Sequence, residues 1–444
     1  MHSETHQFVL RPQWILPVNP AGVLLENHCL VVQDSQIVHL GQSDALPPAF
    51  AGAKVIDLPG KILLPGLVNT HGHAAMTLLR GYADDLALMD WLNNHIWPVE
   101  GEFVSHEFVL DGTTLAVAEM IRSGTTCAAD TYFFPDAVAT AFRQQHFRGQ
   151  VCMPVIQFPN AWASSEDEHI HKGLQFRDDF IKNNDLLTTA FAPHSPYTVT
   201  NQGFEKTLLY SEELQIPIHL HLHETAQEVS EGLALHNSRP FARMQSLGLL
   251  SPLLQTVHMT QLTDDEIEAL AINSVHVAHC PESNLKLASG FCEVAKLRAA
   301  GVNVGIGTDG AASNNNLDML EEMRTAAILA KNLAGDPATV NAHEAVAMAT
   351  IHGARLLGLD HAIGSLEPGK QADMIAVDLT DISLQPLHHP VSQLVYAASG
   401  QHVSDVWIAG RQLLKQGQLT ELDVTALRAK TETWRQRIAQ RGRS

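Results

Sequence analysis

Eight short apolar segments, each followed by a stretch of helical periodicity, constrain what this chain can fold into more than any other feature. They lie within a chain of 444 residues. The predicted strands are Leu63–Asn69, Thr125–Asp130, Val151–Gln157, Thr188–Ala192, Pro217–His221, Gln255–His258, Val275–Ala278 and Val302–Gly307. Strand followed by helix, eight times in succession, is typical of one architecture, and the sequence therefore predicts an α/β fold with a (β/α)8 TIM-like barrel.

Both ends of the chain have a different texture, with short strands separated by turns. Near the start, the predicted strands are Trp14–Val18, Cys29–Gln33 and Gln36–Leu40. Beyond helices predicted at Leu317–Ala334 and Asn341–Leu357, the last predicted strands are Ala372–Asp378 and Asp405–Ala409. Neither end is long enough to bury a core by itself. We therefore predict that the two ends pair into one small β-sandwich.

These assignments predict three stretches along the chain. Residues 1–62 form the first part of the sandwich, residues 63–362 form the barrel domain, and residues 363–444 form the second part of the sandwich with a C-terminal helix. That helix, predicted at Val424–Arg441, is rich in charged residues, and we expect it to lie on the surface.

Composition excludes several classes of function. The chain has 28 basic and 48 acidic residues and a formal net charge of −20, which argues against nucleic acid or a basic membrane-binding face. No apolar run reaches the ~20 residues of a membrane helix, and no secretory signal is visible at the start. The five cysteines lack a CxxC pair and indicate no disulfide framework. We expect a cytoplasmic protein.

The first chemically informative group is the run Asn69-Thr70-His71-Gly72-His73. Residues two apart on an extended chain project to the same side, so His71 and His73 can bind one ion. An HxH pair taken alone is weak evidence, because ordinary structural explanations are more common. Its place at the carboxyl end of a barrel strand, where this fold carries its active sites, favours a metal site.

The second group is HLHLHE, from His219 to Glu224. Alternation places His219, His221 and His223 on one face of a strand and the leucines on the other. Buried imidazoles need hydrogen-bond partners or a metal. His221 is the best ligand candidate, and Glu224 in the following loop is the best acid–base candidate. For His219 and His223, a hydrogen-bonded position in the core is the preferred interpretation.

Two later strand ends carry His258 and Asp309. A lone histidine at a strand end is more often structural. Asp309 lies within Gly305–Gly310, which spells GxGxxG after a strand and before a helix, as in dinucleotide-binding proteins. However, an aspartate inside that loop would repel a pyrophosphate, and the acid-ended strand expected about 20 residues later is missing. The sequence therefore argues against a nucleotide cofactor.

These candidates fall at the predicted ends of strands one, five, six and eight. The carboxyl ends of barrel strands form one ring, so residues far apart in sequence become neighbours there. The five residues expected to converge are His71, His73, His221, His258 and Asp309. Imidazole and carboxylate donors suit a divalent ion of the zinc type with an open coordination position. The sequence thus predicts a metal site on the barrel rim.

Six longer segments carry a family resemblance. They are PGLVNTHGHAAMTLLRG from Pro65, PHSPY from Pro193, HLHET from His221, SNLKLASG from Ser283, GTDGAASNNNLDMLEEMR from Gly307 and IGSLEPGKQADMIAVD from Ile363. In content and order they resemble the amidohydrolase superfamily, specifically its 5-methylthioadenosine/S-adenosylhomocysteine deaminase branch, with chlorohydrolases as cousins. The resemblance implies a barrel with a sandwich built from both termini, which agrees with the fold predicted above.

The same resemblance implies an activity and its cofactor. The activity is hydrolytic deamination of an adenine nucleoside, above all 5′-methylthioadenosine to 5′-methylthioinosine and ammonia, with adenosine and S-adenosylhomocysteine as further substrates. His71, His73, His221 and Asp309 resemble the ligands of one divalent metal per subunit, with zinc expected and iron or manganese as alternatives. No lysine occupies a bridging position on the fourth strand, which argues against two metals.

Roles for the remaining candidates are also implied by the resemblance. Glu224 resembles the proton donor to the purine ring, and His258 resembles the residue that orients or deprotonates the attacking water. Asp309 resembles a second acceptor of that proton, and both carboxylates are expected to contact the substrate. Ser283, Asn284 and Lys286 are expected only to pack and cap the loops near His279.

Three further residues resemble the wall of a nucleoside site. Trp91 would face the base, Glu100 would bind the ribose hydroxyls, and His194 would be a further substrate contact. Without the resemblance, Trp91 is equally well explained by helix packing. Glu100 is then a solvated carboxylate, and His194 is a loop-stabilising histidine.

One departure from the family bears on the substrate. Relatives that accept S-adenosylhomocysteine are expected to carry an arginine after the third strand, yet residues 151–160 read VCMPVIQFPN. Arg177 is the nearest downstream candidate. The missing cation favours an uncharged 5′ group, as in methylthioadenosine or adenosine.

Other interpretations stay open at this stage. The same metal site could hydrolyse a C–Cl or C–N bond of a triazine, guanine or another heterocycle, or the protein could be a non-catalytic metal-dependent binding module. A third possibility is a structural barrel with incidental histidines. A zinc deaminase of the H-x-E and P-C-x-x-C type is excluded, because Cys280-Pro281 runs in the opposite order. From the resemblance we expect a homo-oligomer.

Overall fold

The computed structural model describes residues 7–181 and 184–441, and its strands form two sheets. The mixed sheet contains β1 (Gln7–Ile15), β2 (Leu25–Glu26), β3 (His28–Gln33), β4 (Gln36–Gln42), β5 (Lys54–Pro65), β14 (Met374–Asp378), β15 (Val403–Ile408), β16 (Arg411–Lys415) and β17 (Gln418–Leu419). The other sheet contains β6 (Leu67–Gly72), β7 (Thr125–Thr131), β8 (Arg148–Val155), β9 (Leu187–Pro193), β10 (Ile218–Leu222), β11 (Leu254–His258), β12 (His276–His279) and β13 (Asn303–Ile306).

The second sheet is a nearly closed parallel barrel. Its eight strands are neighbours in sequence order from β6 to β13, and β8 to β13 pair in parallel. Just past β13, the backbone N–H of Asp309 donates to the carbonyl of His71 at 3.0 Å, which joins the last strand end to the first. The predicted (β/α)8 TIM-like barrel is confirmed.

Helices separate the barrel strands and continue beyond them. They are α1 (Leu88–Asp90), α2 (Trp97–Phe103), α3 (His106–Arg122), α4 (Pro135–Gln144), α5 (Glu166–Phe176), α6 (Asn201–Leu214), α7 (Ala226–His236), α8 (Pro240–Ser246), α9 (Asp264–Ile272), α10 (Pro281–Lys286), α11 (Val294–Ala299), α12 (Met319–Ala334), α13 (Ala342–Met348), α14 (Ile351–Leu356), α15 (Pro390–Tyr396) and α16 (Val424–Ala439). Side-chain caps define several starts; Thr225, for example, accepts from the N–H of Glu228 at the start of α7.

The mixed sheet joins the two ends of the chain. Strand β5 pairs in parallel with β1 and antiparallel with β14, so strands from both termini are adjacent. Phe8, Leu10, Leu30, Met374 and Trp407 belong to one buried cluster. The termini therefore share a hydrophobic core, as predicted.

Contacts divide the chain into two units. One comprises the residues up to Asn69 with Ala118–Cys127 and Asp318–Leu422, and the other comprises Thr70–Val117, Ala128–Leu317 and the residues from Asp423 onward. The domain boundaries at residues 62/63 and 362/363 stay a prediction. The outermost residues of the first and last predicted stretches, 1–6 and 442–444, lie outside the described part of the chain.

Some predicted element boundaries were wrong. The apolar run Leu63–Asn69 is not one strand, because β5 ends at Pro65 and β6 begins at Leu67. Gly66 lies at the break, where an added Cβ would overlap the side chain of Thr126. The strand predicted at Trp14–Val18 is the end of β1, which begins at Gln7 and ends at Ile15. Hydrophobic periodicity marks a strand's presence better than its ends.

The C-terminal helix α16 was predicted to lie on the surface, but one of its faces is buried. Trp434 is only 2% exposed. Its indole N–H donates to Asp111 at 3.1 Å. Its ring packs edge-on against the ring of Phe108, with 5.2 Å between the ring centroids. Lys430 donates to the other oxygen of Asp111 at 2.7 Å. Few apolar residues anchor this helix, so the charged positions dominated its sequence pattern.

We expect Trp434→Ala to destabilise the protein by about 3–5 kcal/mol, because it removes a buried aromatic side chain and leaves the Asp111 carboxylate with one partner fewer. Urea unfolding monitored by circular dichroism would measure the loss. Lys430→Ala is the control and should cost less than about 1 kcal/mol, because the lysine side chain is 60% exposed. Equal losses for the two variants would contradict this packing of α16.

Within residues 7–181 and 184–441, none of the helices combines the length and the apolarity needed to cross a bilayer.

Candidate active site

Three strand ends of the barrel, those of β6, β10 and β13, bring three histidines and one aspartate together. The Nε2 atoms of His71 and His73 lie 3.3 and 3.2 Å from Oδ1 of Asp309. Nε2 of His221 lies 3.1 Å from Nε2 of His71. His258 joins the same group, because its donor atom lies within 4.8 Å of those of His71 and Asp309. The structure thus gathers the five residues that the sequence predicted to converge.

Hydrogen bonds on the far side of two rings aim them at this cluster. Nδ1 of His73 lies 2.5 Å from the carbonyl of Thr131, and Nδ1 of His221 lies 2.7 Å from the carbonyl of His194. A carbonyl can only accept, so each ring carries a proton on Nδ1. When these imidazoles are neutral, their Nε2 lone pairs face the cluster. Nδ1 of His71 faces a side chain instead, Nε2 of His219 at 2.8 Å.

The electrostatics of this donor set fit a cation. Burial lowers the pKa values of His71 and His221 well below the usual range, which keeps both rings neutral. Burial opposes ionisation of Asp309, but the adjacent imidazoles of His71 and His73 hold its pKa well below its usual value. Against the effect of burial, Asp309 raises the pKa of His73 to about 9, so a metal must displace a proton there. Three imidazoles and one carboxylate are a donor set that binds zinc-like ions.

The carboxylate of Asp309 is held from several sides. Its Oδ2 accepts hydrogen bonds from Ser283 at 2.6 Å and Ser313 at 3.0 Å, and its Oδ1 accepts one from the N–H of Gly310 at 2.8 Å. The residue has φ of +60°, a conformation that costs a non-glycine residue energy. These contacts hold the carboxylate at one orientation despite that cost.

An acid–base pair lies beside the cluster. Nε2 of His258 is 3.8 Å from Oε1 of Glu224, and both side chains are buried. Burial raises the pKa of Glu224, so this carboxyl group holds a proton more readily than an exposed glutamate does. Nδ1 of His258 lies 2.9 Å from Oδ1 of Asn284. If Nδ1 donates to that amide oxygen, Nε2 of His258 is free to accept a proton.

These groups open into one cavity of about 480 Å³. Its polar lining includes His73, His194, His221, Glu224, His258 and Asp309, and much of the rest is apolar: Met76, Leu88, Leu92, Ile96, Val104, Phe133, Ile156, Phe158 and Leu287. A mostly apolar cleft with a few convergent polar groups is typical of a small-molecule site. Three of the four candidate metal ligands therefore border a space of the right kind for a substrate.

Two of the predicted wall residues, Trp91 and Glu100, also line the cavity. Trp91 is 6% exposed and begins a π-helical turn, Trp91–Ile96, an irregularity that is frequent at functional sites. Glu100, in α2, accepts a hydrogen bond from the hydroxyl of Tyr132 at 2.5 Å. Burial raises the pKa of Glu100 to about 7.

His194, the third predicted wall residue, lines the cavity at the end of β9. Its Nδ1 lies within hydrogen-bond distance of Thr198 at 3.0 Å and Ser195 at 3.2 Å. Burial lowers the pKa of this imidazole to about 4. A neutral ring held from one side leaves Nε2 available to a ligand.

Sequence reasoning missed several contributors. Tyr132 had no family motif around it, although its place at the end of a barrel strand was a usable signal. Ser283 and Asn284 were expected only to pack and cap loops, yet they contact Asp309 and His258. Sequence could not assign these contacts, because they join different strand ends through side chains.

Two remaining sequence features, the glycines of the GxGxxG run and Arg177, do not line the cavity as ligand-binding groups. Gly307, within the GxGxxG run, faces the backbone of His71, where a Cβ would come within 2.8 Å of its nitrogen, so the glycine permits close strand approach. Arg177 pairs with Asp178 at 3.3 Å and is not among the described residues that line the cavity. Within that described lining there is no lysine or arginine.

Comparison with known proteins defines the class to which the barrel and its site belong. Residues 62–413 match the Amidohydrolase family, and the chain belongs to this family. The resemblance seen in the sequence motifs is thereby confirmed.

Individual relatives are similar over nearly the whole chain. A 5-methylthioadenosine/S-adenosylhomocysteine deaminase of Teredinibacter turnerae is 48% identical, covering 98% of this chain and 99% of its own. One with the same name from Saccharophagus degradans is 46% identical, covering 97% and 96%. The crystal structure of an adenosine deaminase from Xanthomonas campestris with bound zinc is 49% identical, with a TM-score of 0.96 and 98% of each chain covered. That zinc and the His/Asp cluster of this chain together support a divalent metal site.

We expect Asp309→Asn to lower the affinity for zinc at least about tenfold and to lower activity with it, because the change removes the one negative charge among the proposed ligands. Elemental analysis of the purified protein and competition with a zinc chelator would measure the affinity. Asp264→Asn, at a carboxylate 85% exposed at the start of α9, is the control and should keep its zinc. Full zinc retention by Asp309→Asn would remove this residue from the ligand set.

Proposed function

We propose that this protein is a metal-dependent aminohydrolase that deaminates an adenine nucleoside, with 5′-methylthioadenosine as the preferred substrate and 5′-methylthioinosine and ammonia as products. One observation carries the proposal: a single cavity is lined by three of the four metal-type donors, by the buried acid Glu224 and by the wall residues Trp91 and Glu100. The names of relatives that are 48% and 46% identical over nearly their full length support the same substrate class.

The proposed metal ligands are His71, His73, His221 and Asp309. We propose zinc, as in the related crystal structure, with iron or manganese as alternatives, because the same donors accept several divalent ions. When bound, such an ion supplies a Lewis acid that lowers the pKa of a coordinated water from 15.7 toward about 7.

The chain's own residues would manage the protons of the reaction. Water adds to C6 of the adenine, and its proton passes to Nε2 of His258, with Asp309 as a second acceptor. Glu224, whose pKa is raised by its burial, donates a proton to N1 of the ring. His258 then protonates the exocyclic nitrogen, which leaves as ammonia, while N1 keeps the proton from Glu224. As the carbonyl forms, the C6 hydroxyl gives its proton to Asp309, and this proton returns to Glu224 and restores the acid. Overall, one water is consumed and one ammonia is released.

The nucleoside would be bound by the walls of the cavity. The indole of Trp91 provides an apolar face for the base, and the carboxylate of Glu100 can accept hydrogen bonds from the ribose hydroxyls. The hydroxyl of Tyr132, 2.5 Å from Oε1 of Glu100, orients that carboxylate. His194 offers a neutral ring nitrogen at the same cavity.

An uncharged 5′ substituent suits this cavity best. The described part of its lining contains neither lysine nor arginine, so the carboxylate of an amino-acid tail would find no ion-pair partner there. Phe133, Ile156 and Phe158 are among its apolar residues and suit a thioether. We therefore place methylthioadenosine and adenosine ahead of S-adenosylhomocysteine.

Location and assembly are further proposals. We propose the cytoplasm, because the five cysteines are buried thiols without a disulfide, as expected in a reducing compartment. We also propose a homo-oligomer, which rests on the family resemblance. Light scattering of the purified protein would measure its mass.

A substrate panel tests the proposed function. Ammonia release from adenosine, methylthioadenosine, S-adenosylhomocysteine and guanine, and chloride release from a chlorotriazine, would be measured on one sample of known metal content. We expect the highest kcat/KM for methylthioadenosine. Turnover of guanine or the triazine alone would overturn the assignment, and stoichiometric metal with no turnover would favour a binding module.

We expect Glu224→Gln to lower kcat about 10²–10⁴-fold while the metal content stays unchanged, because the amide cannot donate a proton in the manner of a general acid. Steady-state kinetics and elemental analysis of the same preparation would check both parts. Glu205→Gln, on the exposed side of α6, is the matched control. Near-normal turnover by Glu224→Gln would reject its role as the acid.

We expect KM to fall about fivefold as pH rises from about 6 to 8, because Glu100 has a pKa near 7 and becomes a stronger acceptor for the ribose when it ionises. Only the folded protein has this raised pKa, so the change lies around pH 7 instead of 4. Kinetics across this range for wild type and Glu100→Gln would test it. A variant with the wild-type pH dependence of KM would exclude Glu100 as the source.

A further inference from the structure

His219 lies directly behind a proposed metal ligand. It is on β10, two residues before His221, and is 1% exposed. Its Nε2 is 2.8 Å from Nδ1 of His71, and its Nδ1 is 3.0 Å from Oε1 of Gln255. Strands β10 and β11 pair in register at His219 and Gln255, so the sheet itself sets this contact. Three side chains thus form one hydrogen-bonded row that ends at the cluster.

The protons along this row can be assigned from Gln255. An amide oxygen only accepts, so Nδ1 of His219 carries the proton and its Nε2 carries a lone pair. That lone pair accepts the N–H at Nδ1 of His71. Nε2 of His71 then carries no proton, so its lone pair can bind a metal. This atom lies 3.1 Å from Nε2 of His221 and 3.3 Å from Oδ1 of Asp309.

The other two histidines of the cluster are oriented differently. His73 and His221 donate to the carbonyls of Thr131 and His194, whose polarity no side-chain substitution can reverse. At His71 the acceptor is an imidazole, which has two tautomers. If His219 adopted its other tautomer, its Nε2–H would donate to Nδ1 of His71. The proton of His71 would then lie on Nε2, and that atom could not bind a metal. Gln255 selects between the two states.

We infer that His219 and Gln255 are positioning residues that hold His71 in the tautomer able to bind the metal, and that they thereby set metal affinity. This inference rests on the metal site in the proposed function. Groups that hold the second nitrogen of a ligating histidine commonly change metal affinity 10–100-fold when they are removed. The effect passes through His71, since neither residue is among the described cavity lining.

The test measures zinc affinity by chelator competition with purified protein reloaded with zinc. His219→Leu and Gln255→Leu remove an acceptor, and we expect at least about tenfold weaker zinc binding by each. His219→Gln and Gln255→Glu keep an acceptor oxygen at these positions, and we expect both to stay within about threefold of wild type. Rescue by the conservative variant distinguishes an acceptor role from simple packing.

His169→Leu is the matched control for the loss of a buried histidine. His169 is fully buried and makes two contacts of similar length, at 2.9 Å to the carbonyl of Pro154 and 2.8 Å to Asn160. His169 does not belong to the metal-type cluster. The zinc affinity of the His169→Leu variant should therefore match wild type even if the melting temperature of the variant falls. Melting curves for all variants would show that they are folded.

The outcomes are separable. Wild-type zinc affinity in folded His219→Leu would overturn the inference, as would equal weakening in His219→Gln and His219→Leu. A wild-type protein without a stoichiometric zinc site would instead reject the metal site of the proposed function. Full wild-type affinity with no ammonia release would reject the proposed reaction and leave the positioning role intact.

Discussion

The rest of the site depends on an electrostatic constraint, the convergence of imidazole lone pairs and one carboxylate in a buried place. Nε2 of His71 and Nε2 of His221 are 3.1 Å apart, and Oδ1 of Asp309 is 3.3 Å from Nε2 of His71. Lone pairs held this close repel unless a proton or a cation lies among them. Backbone carbonyls and side chains hold the outer face of each ring, so the rings cannot relieve this repulsion by turning away.

The barrel makes this convergence possible by placing distant residues at one end of a sheet. His71, His221 and His258 each lie at the end of a different strand, and Asp309 follows a fourth. Parallel strands end at the same side of the sheet. His223, His258 and Asp309 have positive φ values, which extended strand residues avoid. The energy of these turns is offset by the hydrogen bonds and packing around them, so strain is concentrated where the chain must redirect side chains.

Asp309 and Glu224, two buried carboxyl groups of the cavity, differ in pKa because their neighbours offset burial to different extents. The histidines around Asp309 hold its pKa well below the usual range, despite burial, so it remains an anion suited to a metal. The histidines near Glu224 offset its burial less, so burial raises the pKa of this group. Two acids with separated pKa values are the arrangement that acid–base catalysis requires. The proposed deamination uses this difference, one group as a ligand and the other as a donor.

The sequence by itself determined the barrel and the candidate ligands, because the eight-fold strand–helix rhythm and the HxH and HLHLHE patterns are local signals. It misjudged the break at Gly66 and the burial of Trp434, since both depend on what packs against them. Only the tertiary structure revealed the hydrogen-bond partners of other residues of the site, such as Gln255 for His219 and Asn284 for His258. These contacts join different strands, and no local periodicity encodes which side chains will meet across a barrel.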